Sequence, residues 1–516
     1  MATVTSRIQA ASGQDYQSRA LMARGGQPVE ELPPRQLYDL LKWYYLNNGL
    51  YDDIVRGLYD KSIWTEGMKP LRNPAFRVVE FYGAKLWPRN HQVVSDNAEL
   101  VTAVAQVWLW SNWLSQRRVA ARWLAMYGDL FIKIATRMTG GRVTAVYMQL
   151  IEPQYITTFD VDERRYLTYV RIDIPQTERV GDEVQHLTHT EVWDKATDSY
   201  RVWRHDMAAD APIDRLGAPT EEASMTTFGI DFVPVVHVKF RDIGEDRGMA
   251  AITHALDKID EANRMATRLH QVMFRYNKAT EVLEGTGSDT SGRPLPPPRI
   301  VGRQNGQYDD DDTVKVGNDR IVRLPSGWTW RQAVPALDYA SMLAVVNAQM
   351  AELENDLPEL AYYTLRNRAD LSGRAVRLLL SDAVDRATEV RANAEAGLIQ
   401  AQQMALTVGA ATGVLPNLGD FDAGDLAHDF VQEDIFTLSL AEKMETVTAM
   451  TQAGIPLETA LRATGWTAEE IAAMQEDKAA DAELGRQMLE QARAAFDQAP
   501  AEDQDVQDNG ANPRTV

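Results

Sequence analysis

The chain has no cysteine. That removes disulfides, thiolate nucleophiles and cysteine-ligated zinc. It also has no apolar run long enough to cross a bilayer, which takes roughly 20 residues. The most apolar stretch, VTAVAQVWLWSNWL at 101–114, is shorter and reads as a buried helix. The opening MATVTSRIQAASGQDYQSRALMARGG has no apolar core, so no signal peptide is expected. Positive charge is scarce: 53 Lys and Arg stand against 74 Asp and Glu, a net charge of −21 with a pI near 4.9. Affinity for phosphate comes from clustered Lys and Arg, so this surface is not expected to hold DNA tightly. A duplex that passes close by without adhering is compatible with it.

The motifs of common catalytic sites are missing as well. GTGSDTSG at 285–292 is Gly-rich, but no Lys follows to reach a phosphate, so no nucleotide cofactor or ATPase chemistry is expected. His186 and His189 in HLTH are three apart in an expected strand and face opposite sides, which is unsuited to a shared metal. The run Asp309, Asp310, Asp311 and Asp312 lacks the spacing and the late Glu of a calcium loop; it reads as a solvated acidic loop or a contact for a basic partner. There is no G-x-S-x-G elbow. Neither an enzyme nor a bound cofactor or metal is expected. The segment 455–474 has a helix-turn-helix look, but Glu458, Glu469 and Glu470 outweigh Arg462, which argues against DNA reading.

What is present is long helical periodicity around a β-rich section, an α+β chain that is mainly helical, with length for two to four domains. Leu37, Leu40, Leu41 and Tyr44 form one apolar face. Trp108, Trp110, Trp113 and Trp123 read as core. DLFIKIATRMTGGRVTAVYMQL from 129 and HTEVWDKATDSYRVWRHD alternate as hairpins, and DFVPVVHVKF adds a strand. Apolar steps of three and four run from Ile252 to Leu283, and again from Val376 to Val408. Between them lie a Gly, Pro and Asp-rich unit at 284–334, with short β-like runs at 313–316 and 320–324, and a helix over about 338–356. Gly397 is a potential weak point of the last long helix. Ser372 would cap that helix, and Thr467 with Glu470 forms a capping box.

This order of parts resembles the portal proteins, or head–tail connectors, of tailed bacteriophages, over roughly residues 35–480. DFVPVVHVKFRDIGEDRGMAAITHALDKIDEANRMATRLHQVMFRYNKATEVLEG resembles the family's Val-Pro strand and its first stem helix, with an Asp and an Asn. LSGRAVRLLLSDAVDRATEVRANAEAGL resembles the Ser-Gly-x-Ala entry into the long helix after the tunnel loop. EDIFTLSLAEKMETVTAMTQAGIPLETALRATGWTAEEI resembles the helical crown.

The resemblance implies a wing, stem, clip and crown arranged as a ring with a central channel. The implied division is a disordered N-terminal arm at 1–30, a wing at 31–250, stem helices at 251–283 and 335–356, and a clip at 284–334 between them. A tunnel loop at 357–371, a long wing helix at 372–410, a crown at 411–480 and a largely disordered tail at 481–516 follow. The implied function is a homo-oligomer, usually of twelve subunits, at one capsid vertex of the virion, assembled in the host cytoplasm. It would conduct double-stranded DNA during packaging and ejection. Its partners would be the large terminase subunit, head–tail adaptors and the major capsid or scaffold protein, with no membrane. The alternative is a helical capsid-associated adaptor or scaffold protein without a channel.

Tyr362, Tyr363 and Leu365 would be constriction residues. Arg366 and Arg368 would touch passing phosphates or pair with acids of a neighbouring subunit. Glu352, Glu354 and Asp356 sit near a helix C-terminus, where carboxylates are disfavoured; they are either a negative ring in the channel or a solvated group, or the helix runs on past them. The clip, with Asp309 to Asp312, would dock the terminase.

Overall fold

The computed structural model describes residues 33–46, 73–87, 91–180, 183–277, 280–285, 291–293, 313–316, 319–322, 328–333, 339–365, 378–419, 421, 423–431, 435, 440–464, 466 and 468–497. These divide into two compact units, split along the chain after residue 431.

Gly140 and Gly141 set the first hairpin of the larger unit. Both have positive φ, 59° and 78°, as a tight two-residue hairpin turn demands. β2 (Asp129–Thr139) and β3 (Arg142–Ile151) run antiparallel on either side, following β1 (Val93–Val94) in the chain. β9 (Val235–Lys239) pairs with the other edge of β2. A second antiparallel sheet contains β4 (Ile156–Val161), β5 (Leu167–Val180), β6 (Glu183–Asp194), β7 (Ser199–His205) and β8 (Glu221–Ala223), in that spatial order. The alternating stretches of the sequence are therefore strands, with the expected hairpins.

Among the described residues, four helices precede these sheets: α1 (Pro34–Leu46), α2 (Pro74–Lys85), α3 (Ala98–Ser111) and α4 (Trp113–Tyr127). α1 buries Leu40, Leu41 and Tyr44 as its periodicity predicts, with Tyr38 rather than Leu37 beside them. The Tyr38 hydroxyl donates to Asp129 at 2.5 Å, which gives this phenol a buried partner that Leu37 has no need of. The run at 101–114 is two helices, not one. Asn112, at φ 49°, ends α3 and starts α4, and asparagine is among the few residues that tolerate this conformation. Trp113 is fully buried and meets Trp87 edge-on at 5.3 Å.

The long helix α8 (Ser381–Ala411) lies against β9 and β3. Leu380, Ala383, Ala387, Val390, Ala394, Leu398, Ala401, Ala405 and Val408 are all buried. Its expected start at Ser372 is outside the described residues. Gly397 is no weak point. A Cβ there would lie 2.3 Å from Val238 Cγ2, so the glycine lets the helix close onto β9. Gly397→Ala is expected to lower stability by about 1–3 kcal/mol through overpacking. A urea midpoint equal to that of the parent would show that α8 lifts off β9 at no cost.

α5 (Leu256–Asn277) and α6 (Tyr339–Asp356) stand side by side and antiparallel. Lys258, in the first turn of α5, reaches Glu352 and Asp356 in the C-terminal part of α6, at 3.2 and 2.6 Å. Leu256, Ile259, Ala262, Ala266 and Leu269 are the buried face of α5. The first helix thus ends at Asn277 and not at Leu283. β10 (Thr280–Gly285) pairs antiparallel with β13 (Trp328–Ala333), from Thr280↔Ala333 to Gly285↔Trp328. Ladder pairing with a distant strand overrides local helical periodicity here. Within the loop so closed, β11 (Thr313–Val316) and β12 (Asp319–Val322) form a hairpin at the expected place.

After β14 (Asp429–Phe430), which pairs with β1, comes the smaller unit. It contains α9 (Leu440–Gln452), α10 (Leu457–Ala463) and α11 (Ala468–Asp497). Val447, Ala460, Leu461 and Ile471 form its core, flanked by Met450, Trp466 and Met474. α11 continues to Asp497, where a tail was expected from 481. Thr467 lies outside the described residues. Among the described residues, no helix is long and apolar enough to cross a membrane.

Candidate functional site

The segment after α6 is helical, which corrects the expected loop over 357–365. Pro358 cannot continue α6, since it has no N–H and clashes with the preceding turn. The same residue suits a helix start. α7 (Glu359–Leu365) begins immediately after it.

Helix α2 of the larger unit holds α7 in place. Glu359 in its first turn is buried, and its Oε1 accepts from the Tyr82 hydroxyl of α2 at 2.6 Å. Burial first, then the Glu359 carboxylate, raises the Tyr82 phenol well above its ordinary value, so it remains a donor. Tyr362 meets Phe81 edge-on at 5.7 Å, with the Lys85 ammonium 5.4 Å above its ring. Tyr363 donates from its hydroxyl to the Arg77 carbonyl at 2.9 Å. Both tyrosines are half-buried against α2, and Leu365 is half-buried at the end of α7.

The three acidic candidates each have a partner within the chain. Glu352 and Asp356, one helical turn apart on α6, share Lys258. Glu354 accepts from Thr364 Oγ1 at 3.3 Å. The Asp356 carbonyl accepts from Arg386 at 2.9 Å and lies 3.1 Å from His254 Nε2. Cations therefore gather at the negative end of the α6 dipole and offset the carboxylates placed there. The Lys258 ammonium is held above its ordinary range by hydrogen bonds to Asp356, then Glu352. Glu352, Glu354, Asp356, Tyr362, Tyr363 and Leu365 are thus brought together around one helix–proline–helix corner. Arg366, Arg368 and Asp309, Asp310, Asp311 and Asp312 lie outside the described residues. Sequence reasoning missed Tyr82, Arg77, Lys258 and Arg386, which anchor the corner from distant elements.

Two further features lie nearby. A buried network centres on Asp129, whose carboxylate accepts from Tyr38, from His237 Nε2 at 2.7 Å and from the N–H of Gly248, in the segment before α5, at 2.7 Å. Within α5, Asp260 and Asn263 are buried, and Tyr44 donates to Asp260 at 2.8 Å. A polar cleft of about 350 Å³ lies between the β4–β5 turn, β9 and α8, lined by Arg164, Lys239, Asp242 and Gln400 among others. Gly397 lines it, but none of Glu352, Glu354, Asp356, Tyr362, Tyr363 and Leu365 does.

No protein-family model matches the chain, and no curated protein sequence matches it. Solved structures do resemble it. One, a chain from the virion of a native gene transfer agent (GTA) particle, is 10% identical with a TM-score of 0.42, covering 87% of this chain and 94% of that one. A chain from the neck of the empty GTA particle computed with C6 symmetry is 10% identical with a TM-score of 0.41, covering 78% and 95%. A chain from the neck of the native GTA particle computed with C12 symmetry is 10% identical with a TM-score of 0.39, covering 76% and 89%. At that level of likeness, the functional reading rests on the chain's own sequence and geometry.

Proposed function

We propose that this chain is a tailed-bacteriophage portal protein: a ring, of about twelve subunits in the resembled family, that forms the DNA channel at one capsid vertex. The observation that carries the reading is the antiparallel pair α5 and α6, closed at one end by β10–β13 pairing around the 286–327 module and turned at the other by Pro358 into α7. A stem with a docking module at one end and a side-chain cluster at the other is what a conduit needs. The role is mechanical and electrostatic rather than catalytic. Acidic walls repel phosphate and let a duplex slide. The motor would be a separate terminase docking on the module at 284–334, later replaced by head–tail adaptors, with capsid or scaffold protein around the wing.

Negative-stain electron microscopy of the purified full chain tests this. The expected result is a closed ring with a hole wide enough for duplex DNA. A monomer that stays monomeric with scaffold protein and at high salt would favour the adaptor reading without a channel. Within the ring, exchanging Tyr362, Tyr363 and Leu365 for alanine is expected to reduce DNA packaging or retention at least several-fold while rings still assemble. Parent-level packaging by such rings would remove α7 from the mechanism.

A further inference from the structure

The polar cleft between the β4–β5 turn, β9 and α8 has positive charge to spare. At about 350 Å³ it admits part of a ligand and not merely a water. Two exposed guanidiniums line it, Arg164 and Arg165, on a turn that is already fixed. Asp162 Oδ1 accepts from the N–H groups of Arg164 and Tyr166 at 2.9 and 2.8 Å. The Arg164 guanidinium lies 4.9 Å above the Tyr166 ring. Arg165 adopts φ 66°, uncommon for a residue with a side chain. Among the described residues, neither arginine has a carboxylate within ion-pair distance. Asp242 accepts instead from Lys239 at 3.1 Å and from the Gly244 N–H at 2.9 Å, and Arg165 acts on it only from further away.

The α8 wall supplies hydrogen-bonding amides. Asn393 and Gln403 donate to the Phe240 and Leu426 carbonyls at 3.5 and 3.2 Å, which leaves their side-chain oxygens as acceptors. Gln400, also in this wall, has no partner among the described residues and can both donate and accept. From Asn393 to Gln403 the helix rises about 15 Å, the length of four or five residues of extended chain at about 3.3 Å each.

Arginine forks select a carboxylate or a phosphate. Two observations favour the carboxylate of a peptide. Three Lys and Arg share the cleft with the carboxylates of Asp242 and Asp246, which suits a single negative charge better than a phosphate dianion. The acceptor oxygens along α8 also need N–H donors, which a peptide backbone carries. Elsewhere the excess of acid, −21 over the chain, keeps an acidic segment away.

We propose that this cleft docks an extended segment of a partner protein, with an Asp or Glu side chain gripped by Arg164 and Arg165 and backbone N–H groups on the α8 amides. Neither a ring nor a DNA channel is required for it.

Saturation-transfer NMR of the full chain with an acetylated, amidated Gly-Gly-Glu-Gly peptide tests this. The expected result is saturable binding, weakened about ten-fold by Arg164→Gln with Arg165→Gln, the loss of two exposed charge pairs. Gln400→Ala, which keeps both arginines, is expected to weaken it several-fold. The matching Gly-Gly-Gln-Gly peptide is expected to bind the parent as poorly as the acidic peptide binds the double variant, a comparison that needs no altered protein. Absence of saturable binding to the parent overturns the proposal. So does equal binding of the two peptides, or binding that both variants leave unchanged. Free glutamate binding as tightly as the peptide, or inorganic phosphate binding more tightly, would assign the cleft to a small anion and overturn it as well.

Discussion

Asp129→Ala is expected to lower stability by about 3–5 kcal/mol, the cost of breaking a buried charged network by removing one member. Asp129 is fully buried and sits where β2 begins. Its carboxylate accepts from Tyr38 at 2.5 Å, from His237 at 2.7 Å and from the Gly248 N–H at 2.7 Å. Removing it leaves three donors unpaired, each costing about 1–3 kcal/mol if no water reaches it. The network extends outward, because Arg247 donates to the Tyr38 hydroxyl at 2.7 Å and to the Ile156 carbonyl at 3.0 Å. It joins α1, β2, β9 and the segment leading into α5. The backbone is equally tight there: a Cβ on Gly248 would lie 2.2 Å from the Gly128 carbonyl oxygen. Urea unfolding should show a lower midpoint with an unchanged slope. Asp129→Asn keeps one acceptor oxygen and should lose less. A parent-like midpoint for Asp129→Ala would mean that the network contributes nothing net.

The second large effect is acid sensitivity centred on His91. This ring is 5% exposed and stacks against Phe430 at 4.1 Å and Trp108 at 5.6 Å. Neither ring nitrogen has a hydrogen-bond partner among the described residues. Burial first, then repulsion from Arg117 and Arg391, pushes its pKa from 6.5 down to about 4. The unfolded chain therefore takes up a proton near pH 6.5, which the folded chain refuses until about pH 4. Stability from this residue is full above the unfolded value and falls steadily as pH drops towards 4, by about 3 kcal/mol in total. His189 and His428 are also shifted down, chiefly by burial, and act with the same sign. Glu395 acts in the opposite sense, because burial raises its carboxyl and its charged form costs stability at neutral pH. His91→Phe keeps the stack and removes the proton site. It should flatten the stability profile between pH 6.5 and 4, measured by urea midpoints at each pH. An unaltered slope would assign the acid sensitivity to other groups.

Much of this architecture is legible in the residues alone, where the signal is periodic and local. The apolar steps of α8 from Leu380 to Val408 are all buried, because one face of a helix repeats every 3.6 residues. Gly140 and Gly141 announce a hairpin because few other residues accept that turn. The Gly, Pro and Asp-rich unit between α5 and α6 is visible as a change in composition.

Where local preference competes with distant contact, the sequence misleads. Thr280 to Leu283 continue a helical rhythm, yet the strand at 328–333 draws them into a ladder. Glu359 to Leu365 follow a proline and carry two tyrosines, which read as a loop. They are a helix because Tyr82, Phe81 and Arg77, more than 270 residues earlier in the chain, supply a buried hydroxyl, a ring and a carbonyl. Glu352 and Asp356 are alike in sequence whether solvated or paired; Lys258 on the neighbouring helix decides it. Periodicity and turn chemistry therefore determine which segments are helices and strands. Long-range pairing, which costs ordering entropy and is regained only in the assembled fold, decides where each element stops and which side chains meet.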